Sequence, residues 1–360
     1  MTAVASALSI FPDVYVPTFE IKVGGIPLEA AMAKTILEVS VTEHMNPPSE
    51  FSFRLNDPTL KFINKTAGVF VEGTRVEIAL GYVGNTEKMI VGEITELTAE
   101  FPDSGPATLE VYGGDLLSRL TRGTSGRRFG EATSDGAAAD SDIVTKVAQE
   151  MNLTASVDVL SPRAASRVQN HVTNLAFLES LAEANDCTLW VEGDLLHFER
   201  QAPAAGTVQL EWGKTLMSFS PRLSTAGQVN AVEVRGWDPV QRQSISGRAP
   251  RESSVNSNLA PSGQQQIARG AGGQSELVIQ DASASSTQEA EARADKILSE
   301  LQQGLITGNG TSVGRPDIHA GTLLDLRGIG RFEGNYVVRR VTHTVGGNGY
   351  QSSFDVTLQV

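Results

Sequence analysis

Cysteine is the scarcest chemistry in this chain, with one residue, Cys187, among 360. A single thiol can neither close an internal disulfide nor build a Cys-rich metal site, which excludes a disulfide-stapled secreted scaffold. Aromatic residues reach only 6%, which disfavours the exposed aromatic platforms used to stack on other molecules. Long apolar runs are missing too. No stretch of about 18 apolar residues occurs, so no membrane-spanning helix is expected. Met1 to Ile10 is apolar but lacks a basic segment, so it does not read as a signal peptide, and a chain made and kept soluble in a cytosol is expected. Cations are short as well: 29 Lys and Arg stand against 42 Asp and Glu, a net charge of −13. Proteins that grip phosphate backbones do so with Lys and Arg, so specific nucleic-acid binding is not expected.

What is present is enough apolar material, 40% of residues, to fold a chain long enough for two or three domains at roughly 100–200 residues each. Residues 1–115 hold 7 Lys and Arg against 16 Asp and Glu, whereas 19 of the 22 later cations are Arg. The first block therefore has an acidic face, and the later part favours planar ion pairs. Alternating or β-branched runs over Val14–Val23, Ile36–Thr42, Glu50–Asn56, Thr74–Gly81, Lys88–Thr98 and Ala107–Tyr112 predict strands. From about residue 114 the period lengthens: a short helix over Asp115–Arg122, a second over Ser141–Met151, and a third over Asn174–Asn185 capped by Thr173. Thr188–Val191 and Leu195–Glu199, joined through Glu192-Gly193-Asp194, predict a hairpin. Strand patterns return at Gln228–Gly236, Thr322–Leu326, Tyr336–Val345 and Gln351–Gln359. Residues 247–286 are dominated by Ser, Gly, Gln, Ala and Asn and read as a loop, ended by Ser286-x-x-Glu289, a capping box opening a helix over 287–303. The fold class is β-rich α+β. The expected domains are a first barrel over 1–115, an α+β domain over 116–205, and a second barrel over 206–360 interrupted by that loop and helix.

Catalytic signatures are weak. His44, His171, His197, His319 and His343 lie in five separate segments with no metal-ligand spacing. Gly310-Thr-Ser312-Val-Gly314 matches a nucleophile-elbow string, but Pro316 blocks the helix that must follow, so a glycine-rich turn is expected. Cys187 reads as a small buried hydrophobe. Gly328-Ile-Gly330 lacks the strand-to-helix context of a dinucleotide fingerprint. No cofactor and no metal are expected, and the chain does not read as an enzyme. Paired carboxylates acting on carbohydrate or cell wall are the alternative reading.

Five segments in register resemble the late control gene D family, the hub proteins of contractile phage tails, which is similar to the N-terminal half of VgrG-type spike proteins. They are Pro17-x-Phe19 with Val23-Gly24-Gly25; Gly81-Tyr82, Val91–Ile94 and Val111–Asp115 with Arg119-Leu120; Gln169-Asn170 with Thr173-Asn174-x-x-Phe177-Leu178; Arg235-Gly236-Trp237-Asp238-Pro239 after Val234; and Gly321 through Gly334-x-Tyr336 and His343. Where this chain has Asn174, the family usually has Asp. The resemblance implies two tube-like β-barrels flanking α+β material and a homotrimer whose six barrels form a ring between a hexameric tail tube and a spike. Its implied partners are a tail tube protein, a separate spike protein and other baseplate proteins, with assembly into a virion or injection-particle baseplate. It implies no catalytic residue. An acidic ring would let DNA or cargo pass through its lumen without sticking.

Overall fold

Phe51, Phe53 and Leu55 alternate with Ser52 and Arg54, and the three apolar side chains are buried while Arg54 is exposed. That period of two sets the pattern of a β-rich α+β molecule. The structure is a computed structural model, and it describes residues 16–45, 48–64, 69–130, 139–158, 167–185, 187–200, 206–224, 229–238, 242–250, 276–280 and 286–359. The chain divides into two units. The first takes Met1–Ala205, Gly314–His319 and Val341–Ser352; the second takes Gly206–Val313, Ala320–Arg340 and Ser353–Val360.

The first unit opens with β1 (Pro17–Val23), β2 (Ile26–Pro27), α1 (Ala30–Ala33), β3 (Ile36–His44), β4 (Glu50–Asn56), β5 (Arg75–Tyr82), β6 (Asn85–Glu100) and β7 (Thr108–Asp115). Its sheet runs in the order β3-β4-β7-β6-β5-β1-β2, with residues 341–346 beside β3. Among the described residues no ladder joins the two edges. β6 is long because it serves two partners: Asn85–Glu93 pair with β5 and Gly92–Glu100 with β7. Glycine is required at the changeover, since a Cβ on Gly92 would sit 2.1 Å from the Gly114 carbonyl oxygen. Phe53, Leu55, Ile78, Leu80, Ile94 and Val111 form the core on one face. Each fully buried side chain of this size stabilises the fold by about 1.5–3 kcal/mol.

The same unit continues through a 3-10 turn (Leu116–Thr121), β8 (Ser125–Phe129), α2 (Asp140–Glu150), β9 (Thr154–Val157), β10 (Arg167–Val172), α3 (Asn174–Asn185), β11 (Thr188–Glu192) and β12 (Leu195–Glu199). The expected hairpin is present as β11 and β12, which pair antiparallel from Thr188↔Glu199 to Glu192↔Leu195. Thr173 caps α3, its Oγ1 accepting the Ala176 N–H at 3.1 Å. Ile143, Val147, Leu178, Leu196 and Phe198 close this second core. Cys187 is half-buried against it.

The second unit comprises β13 (Thr207–Glu211), β14 (Leu216–Leu223), β15 (Ala231–Asp238), β16 (Gln243–Pro250), β17 (Glu276–Gln280), α4 (Thr287–Gln303), β18 (Ile306–Val313), β19 (Leu323–Arg327) and parts of β20 (Gly334–Gly346) and β21 (Gly349–Leu358). β14, β18, β21, β20, β19 and β13 form its main sheet. The Gly310–Gly314 string is not a turn. Gly310 and Ser312 lie in β18, where glycine is needed because a Cβ on Gly310 would meet the Phe354 ring at 2.7 Å and one on Gly308 the Phe219 ring at 2.7 Å. Nor is 247–286 wholly a loop: Gly247–Pro250 end β16 and Glu276–Gln280 are β17, while 251–275 and 281–285 lie outside the described residues. β16 and β17 flank β15 in a three-stranded sheet, and α4 packs Ala290, Ala294 and Leu298 onto Val232, Val234, Ile245 and Ala249. Ser286 caps α4 by accepting the Glu289 N–H at 3.2 Å.

Candidate functional site

The first unit carries a broad groove on the sheet face opposite the core. The register aligns Ser40, Ser52, Tyr112 and Glu96 across four strands, and Glu38, Arg54, Glu110 and Thr98 in the next row. A groove of about 500 Å³ runs over this face, lined by hydroxyls including Ser40, Thr42, Ser52, Thr95 and Tyr112, with Glu50 and Glu96. At the alternate positions of β3, β4 and β7 only Arg54 carries a fixed positive charge. The field is accordingly negative: a hydrogen bond to Glu110, then burial, then the charges of Glu110, Glu96 and Glu100 raise the Tyr112 phenol above its usual value. Such a surface offers acceptors and hydroxyls to solvent or to a passing chain and repels phosphate.

The residues that the motifs single out fall in three places. Gln169 is buried in the middle of β10, accepting from Arg127 Nε at 2.8 Å and donating to Val172 O and Asn174 Oδ1, both at 3.0 Å. Asn174 Oδ1 also accepts from Arg127 Nη2 at 3.2 Å, and Arg127 Nη1 reaches Glu150 at 2.6 Å. Asn174 Oδ1 therefore accepts from both Gln169 and Arg127, a role that an Asp carboxylate of the same shape could also fill. Thr173 is the cap already described, Phe177 stacks on Phe129 at 5.6 Å and 12°, and Leu178 is fully buried. Asn170 is exposed beside a bulge in the β10–β8 ladder. These residues brace the turn from strand to helix.

Arg235, Gly236, Trp237 and Asp238 end β15. Arg235 points away from α4 and holds Glu233 at 3.0 and 2.8 Å, and that hydrogen bond lowers the Glu233 carboxyl. Trp237 is exposed. Pro239 and the side chain of Asp238 lie outside the described residues. The third group belongs to the main sheet of the second unit. Gly321, at φ 88°, donates its N–H to Val338 O at 2.8 Å; Gly334, at φ 151°, opens β20; Tyr336 is fully buried with its hydroxyl donating to Phe332 O at 2.7 Å. Burial raises that phenol to about 12. The three groups do not converge on one pocket, and each holds its own local structure.

A polar cluster that the sequence reading did not anticipate lies in the first unit. His343 is fully buried, and its Nε2 faces the Ile318 carbonyl oxygen at 2.8 Å. A carbonyl only accepts, so Nε2 carries the proton and the single lone pair of Nδ1 faces the hydroxyls of Tyr350 and Ser352, both at 3.0 Å. Ser352 Oγ in turn accepts the Arg315 N–H at 3.0 Å, and Tyr82 donates its hydroxyl to Gly314 O at 2.8 Å. His319 lies between two carboxylates, Nδ1 to Glu43 at 3.0 Å and Nε2 to Glu87 at 3.4 Å. His319 has no local signal, because Glu43 and Glu87 lie 276 and 232 residues away in sequence, whereas His343's partners Tyr350, Ser352 and Ile318 lie within 25 residues but are of types that carry no motif. Among the described residues no group of three or more His, Cys, Asp and Glu is arranged to hold a metal ion, and no helix is long and apolar enough to cross a membrane.

Three comparisons bear on this arrangement. The family model described as Alg8 N-terminal domain matches residues 13–347. Among solved structures, the chain is similar to the 43 kDa tail protein of prophage MuSo2 from Shewanella oneidensis, at 14% identity and TM-score 0.70 over 94% of this chain and 98% of that one. It is similar to a tail protein from Neisseria meningitidis, at 13% identity and TM-score 0.65 over 95% and 97%. It is also similar to an E. coli component of the type VI secretion system, at 11% identity and TM-score 0.54 over 94% and 77%. At these identities the likeness is one of fold. No curated protein matches the chain in sequence.

Proposed function

Because the chain belongs to the Alg8 N-terminal domain family and shares its fold with tail proteins, we propose that it is a structural baseplate hub of a contractile phage tail or phage-like injection particle. The observation that carries the reading is the reach of the likeness, which spans nearly the whole of this chain and nearly the whole of both prophage and bacterial tail proteins. The motif residues support it, since they brace strands and turns. The finer reading follows the late control gene D resemblance. Each chain supplies two tube-like barrels, over 1–115 and 206–360 around an α+β domain at 116–205, and three chains form a ring of six. One side of the ring meets the hexameric tail tube and the other a separate spike protein, with closed symmetry making the contacts specific. On this reading the hydroxyl- and glutamate-lined face of β3, β4, β7 and β6 turns toward the lumen, where it lets DNA or protein cargo pass without adhering. Chemistry plays no part in that role, so no catalytic residue and no cofactor are assigned.

The test is mass in solution by light scattering, with a candidate spike protein included. A complex containing three copies of this chain is expected. A monomer that persists with the spike present and binds or cleaves cell-wall glycan instead would sustain the alternative, a carbohydrate-acting module, which the hydroxyl-lined groove favours.

A further inference from the structure

We infer that His319 and His343 form a two-sided proton switch on the docking of Gly314–His319 and Val341–Ser352 into the first unit: docking requires His319 to hold its extra proton and His343 to lack one. The two segments are late in the chain yet are built into a unit made otherwise of Met1–Ala205. Beside the ladder between β20 and β3 and the burial of Val345 and Tyr350 in the first core, their side-chain attachments include His319 against Glu43 and Glu87, Tyr82 against Gly314 O, and Thr342 Oγ1 against Thr42 Oγ1 at 3.0 Å. Internally the segments are joined by His343, which ties β20 to Ile318 and to the Tyr350 and Ser352 hydroxyls of β21.

A second proton on His343 is costly. Nδ1 has one lone pair, and the Tyr350 and Ser352 hydroxyls both lie 3.0 Å from it in a site with no contact with water. Protonating Nδ1 would force the donating hydroxyl to reverse beside Ser352, which already accepts the Arg315 N–H. The charged and titratable groups near it are Glu43 from β3, Tyr350 from β21, and Asp317 and His319 from the loop before β19. Burial, the largest influence, holds His343 below its ordinary value, and the charge of His319 adds to that; Glu43 and Asp317 act in the opposite sense. His319 is the reverse case. Burial pulls it down, but the hydrogen bond and charge of Glu43 and then those of Glu87 outweigh it and hold the ring at about 9.

The signs of the two linkages differ. Opening the segments returns both rings to an ordinary histidine value of about 6.5. Below that value the open form takes up a proton that buried His343 refuses, so docking weakens as pH falls. Above it the open form releases the proton that docked His319 keeps, so docking weakens until pH reaches about 9. Docking therefore peaks near pH 6.5 and falls on both sides by up to about tenfold per pH unit, with the alkaline limb shallower because His319 is 36% exposed.

Hydrogen exchange at pH 5–10, corrected for the intrinsic pH dependence of exchange, reads this directly. Protection of amides in Gly314–His319 and Val341–Ser352 is expected to peak near neutrality while β4 and β7 hold theirs. His343→Gln keeps a donor and an acceptor without a titrating site and should erase the acid limb; His319→Gln should erase the alkaline one. Limbs that survive these substitutions, or β4 and β7 losing protection in step with the segments, would overturn the inference. Should His343→Gln fail to fold, imidazole NMR of the unaltered chain decides: His343 must stay neutral and His319 charged at pH 7, and reversible titration of His343 near 6.5 in the folded protein refutes the switch.

Discussion

Replacing Arg167 by Met should open the α+β part of the first unit while leaving its large sheet intact. Arg167 holds Asp140 through two parallel hydrogen bonds, Nε to Oδ1 at 2.8 Å and Nη2 to Oδ2 at 2.7 Å, and Asp140 is 3% exposed. The hydrogen bond to Asp140 raises the guanidinium further above its usual value, against the opposing effect of burial. Removing one partner of a buried pair costs about 3–5 kcal/mol, because the remaining charge is left without compensation. Two features reduce that here. Arg167 is 26% exposed, so the pair is partly screened from the guanidinium side, and Asn185 Nδ2 still donates to Asp140 Oδ2 at 2.8 Å. The position of Asp140 in the first turn of α2 supplies about 0.5 kcal/mol more from the helix dipole. The expected loss is about 2–3 kcal/mol, or roughly 30- to 150-fold in local opening. Hydrogen exchange across α2 and α3 is the appropriate measure, since a chain of two units does not unfold as one step. The decisive form is a double-mutant cycle with Asp140→Asn, expected to give a coupling of about 2 kcal/mol; a coupling under about 0.5 kcal/mol would refute the assignment of this pair as a brace.

Gly247→Ala should loosen the three-stranded sheet of the second unit, because a Cβ there would sit 2.1 Å from the Glu291 backbone nitrogen in α4; a loss of about 1–3 kcal/mol should appear as faster exchange in Thr287–Gln303, with β4 unaffected. Ser286→Ala removes the N-cap of the same helix and should cost about 1 kcal/mol, read from exchange in the first turn. Asp115 is expected to titrate near 6 by carboxyl NMR. Burial raises it even though the Ser49 and Leu117 N–H groups donate to it at 2.8 and 3.0 Å. A carboxyl raised in the fold binds its proton more tightly there than in the unfolded chain, so the first unit should gain stability as pH falls from about 6 toward 4. A midpoint at the usual carboxylate value would sink that expectation.

Where a signal is local, the sequence carried it well. The Thr173 cap, the Ser286 cap, the 188–199 hairpin and the alternation of β4 all appear where their residues put them. What escaped depends on distant partners. Gly310 read as part of a turn because glycine usually marks one, and only the ring of Phe354 explains why a strand needs glycine there. β17 is five residues in a polar surround, and it becomes a strand through parallel pairing with β15, forty-five residues earlier at Ala231↔Glu276. The return of Gly314–His319 and Val341–Ser352 to the first unit has no local signature at all, and with it the His343 cluster stayed out of reach.

The distribution of the motif residues bears on what kind of function this chain can have. A catalytic family leaves its recognisable residues around one cavity, because reacting groups must come within a few ångströms of the same atom. Here Gln169 and Asn174 organise Arg127 in the first unit, Arg235 sits on a sheet face of the second, and Gly321, Gly334 and Tyr336 shape that unit's main sheet. Each group acts over its own few residues, and what they share is control of backbone direction: a strand entering a helix, a turn at positive φ, a buried ring pinned at the start of a strand. Residues that set direction matter most in a protein whose product is a surface at a defined angle, and a ring component is such a protein. On the proposed hub reading, Gln169→Ala, which leaves Arg127 without one of its acceptors, should impair assembly of the proposed ring at least as much as it lowers stability. Sedimentation with the spike partner at a temperature where the variant remains folded would separate the two effects, and normal assembly by a measurably destabilised variant would count against the argument.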